Sequence, residues 1–245
     1  MSRTSAGNRP TALPGLLYML CITPLLRRLI TVHTVPPGRP HRSRCHRCAT
    51  PVWPAACRPS ARCRGCGRPV GPPRYTVEIA AAASVALLVW SGARGWELAG
   101  YTTWAMAMIV LGFVDAAAYR LPHQLTTAAT LALVAFLALA GGTVAAWLVA
   151  AAAATGLAGF HVVLHAAAPS GLGLGDVTMS IPVGFALGWL DWRYVVAAVF
   201  LAYAATLLGF TALRMTGRRG SHQPFGAYLA AASVTIVIAA QVSAR

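Results

Sequence analysis

The stretch Gly171-Leu172-Gly173-Leu174-Gly175-Asp176 sets a glycine-rich turn and a carboxylate between two long apolar runs. Moving an acid from water into a low-dielectric medium costs several kcal/mol unless it is partnered, protonated or wetted by a cavity. The chain holds only five acids: Glu78, Glu97, Asp115, Asp176 and Asp191. Of these, Asp115 also follows directly on an apolar run, Trp104 to Val114, and leads into the short polar break Arg120-Leu121-Pro122-His123. The sequence therefore predicts that Asp115 and Asp176 face each other.

Composition says what medium surrounds them. Of 245 residues, 57% are hydrophobic and 10% charged, which fits neither a soluble globular chain nor a disordered one. The expectation is an all-α, polytopic membrane protein. Its net charge of +15 comes from arginine alone, since the chain has no lysine. In a soluble protein that excess would raise nucleic acid as a partner. Here the arginines cluster between apolar spans, so they read as topological signals facing a lipid bilayer, and no nucleic-acid partner is expected.

The run 11–26, interrupted by Pro14 and Pro24, is followed by Arg27 and Arg28. A cleaved signal would place its basic residues ahead of the apolar core, so this run is predicted to be a first membrane helix within an N-terminal segment 1–32. Residues 33–74 are rich in Pro, Arg and Cys and hold no span, which makes them a small cytoplasmic loop domain. From Tyr75 the spans come in quick succession, at about 75–92, 96–114, 124–140, 143–166, 176–190, 193–213 and 225–243. They form a seven-helix core over 75–245, and with the first helix make eight. Breaks fall at glycine and proline positions, including Gly141-Gly142, Pro169 to Gly175 and Gly217 to Pro224. With the N-terminus outside, 15 arginines fall in inner segments and 5 in outer ones, as the positive-inside rule requires. That orientation puts Asp115 and Asp176 at the cytoplasmic ends of the third and sixth spans.

Two carboxylates held close share a proton, and their apparent pKa values separate. One can take a proton from water while the other polarises a peptide carbonyl and then protonates the leaving amine. Gly171, Gly173 and Gly175 suit such a site, because a backbone without side chains, free to take positive φ, lets a substrate strand approach Asp176.

Cys45-His46-Arg47-Cys48 and Cys63-Arg64-Gly65-Cys66 are two Cys-x-x-Cys knuckles separated by 14 residues, close to ribbon-type zinc spacing. In a reducing cytoplasm the thiolates suit a structural zinc held through Cys45, Cys48, Cys63 and Cys66. The alternative is a loop that keeps these cysteines unmetalled, and Cys57 is a spare thiol. Four thiolates leave no open position for water, so such a zinc folds the loop and does not hydrolyse peptides.

His161 and His165 share a helix face, where packing between helices is the favoured role over metal ligation. Gly156 and Gly159 read as small residues that let helices approach closely. Asp191, beside Trp192 and Arg193, reads as a loop acid with a local partner, and Cys21 as a packing residue.

The stretch Asp115-Ala116-Ala117-Ala118-Tyr119-Arg120-Leu121-Pro122-His123-Gln124-Leu125-Thr126 resembles the first aspartate motif of the type 4 prepilin leader peptidases. Gly173-Leu174-Gly175-Asp176 is similar to their Gly-x-Gly-Asp, and Pro224-Phe225-Gly226 to the Pro-Phe-Gly that opens their last helix. Arg74-Tyr75 with Glu78, after two Cys-x-x-Cys pairs, looks like the start of their second helix. The resemblance covers about residues 27–243, with its motifs in order. It implies a bacterial inner-membrane aspartic endopeptidase with its active site at the cytoplasmic face. Such an enzyme removes the leader of a prepilin or pseudopilin by cutting after a glycine, and Asp115 and Asp176 would be its catalytic pair. Many members of the family also methylate the new N-terminus with S-adenosylmethionine, an activity tied to a large cytoplasmic loop, which is shortened here. Two further departures are Thr178, where a lysine is usual, and Leu172, where methionine is common.

Other classes also use membrane acids. A proton-coupled transporter would show internal repeats and interrupted helices near the midplane, and no repeat is visible. A membrane-anchored zinc-ribbon module would explain the cysteines but not the seven later spans. A presenilin-like protease shares Gly-x-Gly-Asp but sets its first aspartate in a Tyr-Asp context, unlike Val114-Asp115.

Overall fold

The computed structural model describes residues 12–36, 40–169, 171–216 and 223–244. Arg3, Arg9, Arg39, Arg218, Arg219 and Arg245 of the orientation count, and most of the break between 217 and 224, lie outside the described residues. The elements in chain order are α1 (Ala12–His33), α2 (Trp53–Ala56), α3 (Thr76–Trp90), α4 (Gly95–Ala118), α5 (His123–Ala140), α6 (Val144–Ala167), α7 (Leu174–Gly188), α8 (Trp192–Met215) and α9 (Phe225–Ser243). Each of the eight apolar spans is a helix, and α2 is a single turn inside the cysteine loop.

Helix α1 runs to His33, seven residues past the expected end of the first span. The arginine pair does not stop it because Arg27 is wholly buried and partnered. Its guanidinium donates to Glu78 Oε1 at 2.6 Å and Oε2 at 2.7 Å, and to the carbonyls of Pro72 and Pro73 at 3.2 and 3.0 Å. A residue read as a topological charge is thus a clamp joining α1, the start of α3 and the end of the cysteine loop.

Five helices, α4, α5, α6, α8 and α9, are long and apolar enough to cross a membrane, while α3 and α7 are shorter apolar helices of 15 residues each. The outer faces of α5, α6 and α8 leave large apolar side chains exposed, among them Leu131, Leu148, Val163, Phe200 and Leu208. So much uncovered hydrocarbon on so many helices fits lipid, not water. Trp90, Trp96 and Trp192 are also exposed, and they flank the α3–α4 and α7–α8 turns at one end of the bundle, where interfacial tryptophans belong. The chain is an all-α polytopic membrane protein.

The interior is built around α4 and α7. Tyr101, Trp104, Met108 and Leu111 of α4 are fully buried, and Tyr101 donates its hydroxyl to the Ala186 carbonyl of α7 at 2.9 Å. The tightest crossing is α6 on α7. A Cβ on Gly184 would come within 2.7 Å of the Ala153 carbonyl oxygen, and one on Gly188 within 2.5 Å of the Ala153 Cβ. Gly156 and Gly159, expected to allow close approach, have nothing within 4 Å of such a Cβ. The small residues that matter are the partners' glycines on α7, set against alanines of α6.

Candidate active site

Asp115 lies in the last turn of α4, which ends as Tyr119 takes a left-handed conformation at φ 50° and turns the chain back toward α5. Asp176 lies in the first turn of α7, whose N-cap is Gly173. Both carboxylates are buried, at 6% and 9% exposure. Each is gripped by a backbone N–H where a helix begins. Ala227, in the first turn of α9, donates to Asp115 Oδ2 at 3.0 Å, and Gly173 donates to Asp176 Oδ2 at 3.0 Å. The first amides of a helix lack the usual i−4 carbonyl, so they can hold a carboxylate without a side-chain ligand, and the Ala227 N–H is shared with the Pro224 carbonyl at 3.1 Å.

The buried side chain of Leu121 abuts the backbone that carries Asp176 and the start of α9, whose amide holds Asp115. A Cβ on Gly175 would stand 2.8 Å from Leu121 Cβ; one on Gly226 would stand 2.8 Å from Leu121 Cδ1 and 3.0 Å from Asp115 Oδ2. Close approach is therefore the reason for glycine at 175 and 226. The expected left-handed backbone is not: Gly173 has φ −79°, and neither Gly171 nor Gly175 has positive φ. Asp115 and Asp176 are brought to one end of the bundle, where Leu121 lies against both Gly175, next to Asp176, and Gly226, next to the Asp115 carboxylate. A cleft of about 300 Å³ opens there, lined by Tyr119 to His123 on one side and Gly173 to Asp176 on the other. Thr178, in place of the usual lysine, donates to the Gly175 carbonyl at 2.9 Å and lies 3.3 Å from the exposed His123 Nδ1.

Gly226 and the Ala227 amide did not emerge as site groups from the sequence. The signal for them was the Pro224-Phe225-Gly226 motif, which marks the place where α9 closes on Asp115.

The cysteines form a second centre. The Cys45 and Cys66 sulfurs are 3.7 Å apart and those of Cys48 and Cys63 3.4 Å, and all four ligand atoms lie within 4.8 Å of one another. Tetrahedral zinc with bonds of about 2.3 Å sets its sulfurs about 3.8 Å apart, so the cluster could hold a metal ion such as zinc. The thiols are unequal. Cys48 is lowered to about 6 by hydrogen bonds from the Thr50 side chain and backbone, and Cys45 is lowered by the backbone of Arg47 and Cys48. Cys66, against the opposing pull of its backbone bond to Arg68, is pushed up to about 11 by burial and its sulfur neighbours.

His161 is fully buried and packs as expected, its Nδ1 2.6 Å from Ser180 Oγ of α7, while His165 Nδ1 meets the Leu172 carbonyl at 2.7 Å. Asp191 caps α8 through the Arg193 amide and pairs with the Arg193 side chain at 3.0 Å, which lowers its pKa. Cys21 is exposed.

Fold and site together define a class: a polytopic helical membrane protein with two buried carboxylates at one end of its bundle. Residues 102–213 match the model of the type IV leader peptidase family. The matched stretch runs from Thr102 of α4 to Leu213 of α8, so it contains both aspartates and leaves out the cysteine loop. The match supports peptidase activity. No curated protein and no solved structure matches the chain.

Proposed function

We propose that the chain is a membrane aspartic endopeptidase that removes the leader peptide of prepilins or pseudopilins at the cytoplasmic face of the inner membrane, with Asp115 and Asp176 as its catalytic pair. The observation that carries this reading is that two acids on different helices, both buried, lie at the same end of the bundle, where Asp176 lines an open cleft. One member, ionised, removes a proton from water. The other, protonated, donates to the carbonyl oxygen, so that the water oxygen bonds to the carbonyl carbon. Collapse of the tetrahedral intermediate breaks the C–N bond, and the protonated member passes its proton to the leaving nitrogen, so that the two carboxyls end with their protonation states exchanged. A transporter would place its acids near the midplane, whereas these sit in the end turns of α4 and α7.

The excess of arginine in the segments assigned inside supports the cytoplasmic placement. The four-thiolate cluster is proposed to hold a structural zinc that folds the loop between α1 and α3 and takes no part in hydrolysis.

The test is coexpression with a prepilin-like substrate, with leader removal followed by mass spectrometry. Asp115→Asn and Asp176→Asn are each expected to cut the processing rate by about 10³-fold or more, with helical content unchanged. Normal processing by either variant removes the assignment.

A further inference from the structure

Beside the glycine turn a second cleft, of about 440 Å³, is flanked by Gly171 and Leu172 and reaches Tyr203 on α8 and Phe225 at the start of α9. The Tyr203 hydroxyl is buried and has no hydrogen-bond partner among the described residues. That departs from how this fold treats its other buried tyrosine, Tyr101, whose hydroxyl is bonded to a carbonyl at 2.9 Å. Tyrosine hydroxyls taken out of water normally find a partner, and one left without costs about 1–3 kcal/mol.

Two more polar atoms nearby are buried and unpartnered, His161 Nε2 on α6 and Asp176 Oδ1 on α7. Contacts tie the three residues together. Ser180 donates to the Asp176 carbonyl at 2.7 Å, so its oxygen accepts from His161 Nδ1–H at 2.6 Å, which leaves Nε2 as an acceptor. The His161 ring stacks on Tyr203 with centroids 6.3 Å apart, and Phe225 closes the cluster at 4.7 Å from Tyr203 and 5.6 Å from His161. Phe225 also lies two residues before Ala227, whose amide holds Asp115. The cluster thus offers one hydroxyl donor and two acceptors, and the cleft reaches it at Tyr203 and Phe225. A peptide group carries the complementary set, a carbonyl and an N–H.

Resting on the peptidase reading above, we propose that Tyr203 is a third catalytic residue: substrate enters along this cleft, and the Tyr203 hydroxyl donates a hydrogen bond to the scissile carbonyl oxygen as it gains charge. No bond to the tyrosine forms or breaks. The hydroxyl strengthens its hold as the carbonyl becomes tetrahedral, so the contribution appears in kcat and not in KM.

The experiment uses the full chain in detergent with a synthetic peptide bearing a basic leader, a glycine and the start of an apolar helix. Tyr203→Phe keeps the ring and its packing and is expected to lower kcat by about 10²-fold, with KM within about twofold and an unfolding midpoint raised by loss of the unpartnered hydroxyl. Tyr101→Phe serves as the control, because its lost hydrogen bond lowers the unfolding midpoint and leaves kcat alone. Wild-type kcat in Tyr203→Phe overturns the proposal and makes the tyrosine a packing residue, with the aspartate reading intact. Wild-type kcat in Asp115→Asn or Asp176→Asn overturns both together.

Discussion

The cysteine loop and the acid pair both gather distant side chains, but by opposite means. In the loop the second knuckle repeats the first: Arg44 bridges Pro51 as Arg62 bridges Pro69, and Cys45 N–H meets the Thr50 carbonyl at 2.9 Å as Cys63 N–H meets that of Arg68 at 2.8 Å. Each hairpin is complete within eight residues, so pairing two of them is nearly enough to assemble the four sulfurs. The acid pair has no local frame. Asp115 is held by an amide 112 positions away, and its geometry exists only once α4, α7 and α9 have packed. A metal centre made from local turns should therefore fail alone, whereas the acid site should fail with the bundle.

The largest expected effect breaks that comparison open. Cys45→Ser, or chelation of the wild type, should take bound zinc from one ion per chain toward none. The loop would lose a metal contribution on the order of 10 kcal/mol, while the helical signal of the bundle stays. Metal analysis together with limited proteolysis reads both. A metal-free wild type whose loop resists protease would end the zinc assignment.

Arg27→Met tests the joint between the two regions. It leaves Glu78 without its partner and the Pro72 and Pro73 carbonyls without their donor. Removing one member of a buried pair costs about 3–5 kcal/mol, to be read as a lowered unfolding midpoint in detergent. Replacing both, as Arg27→Met with Glu78→Leu, should recover much of it. An unshifted midpoint in the single variant means that the clamp contributes nothing.

The two regions also differ in how much of them the sequence revealed. Apolar run length and the breaks between runs gave every long helix, because a span that must satisfy its own backbone in lipid leaves a mark on every residue. The cysteine spacing predicted a ligand cluster for the same local reason. The rarity of acids and the motif order pointed to Asp115 and Asp176, which the helices bring to one end of the bundle, but what holds each of them was not foreseen. Leu121, Gly226 and the Ala227 amide carry no charge and have no period. Arg27 was misread because a buried, partnered arginine looks the same in sequence as a loop arginine. Gly156 and Gly159 were misread because a small residue allows close approach only if a neighbour arrives, and none does.

A smaller effect separates the glycines of the turn. Gly175→Ala would press a methyl to 2.8 Å from Leu121 Cβ, whereas Gly171→Ala meets nothing nearer than 3.5 Å. Forcing a methyl into a packed contact costs about 1–3 kcal/mol, and the Leu121 Cβ cannot rotate away. Processing should slow markedly in Gly175→Ala and hardly at all in Gly171→Ala. Equal rates would show that the turn yields and that the crowding at Leu121 is unimportant.

The smallest effect lies within the knuckles. Ala49 and Gly67 close the two turns with the same hydrogen bond, each N–H meeting the carbonyl of the cysteine four residues before it at 3.0 Å, and both have positive φ, 54° and 68°. Left-handed backbone costs a residue with a Cβ about 1–2 kcal/mol, part of which glycine gives back through its looser unfolded state. A Cβ on Gly67 would touch nothing within 4 Å, so Gly67→Ala changes backbone energy alone. Ala49→Gly should then tighten apparent zinc affinity by about two- to fivefold, and Gly67→Ala should loosen it by a similar factor, both measured by chelator competition. If the repeat is real the two changes are opposite in sign and cancel in the double variant; changes of the same sign would mean that the knuckles are not equivalent.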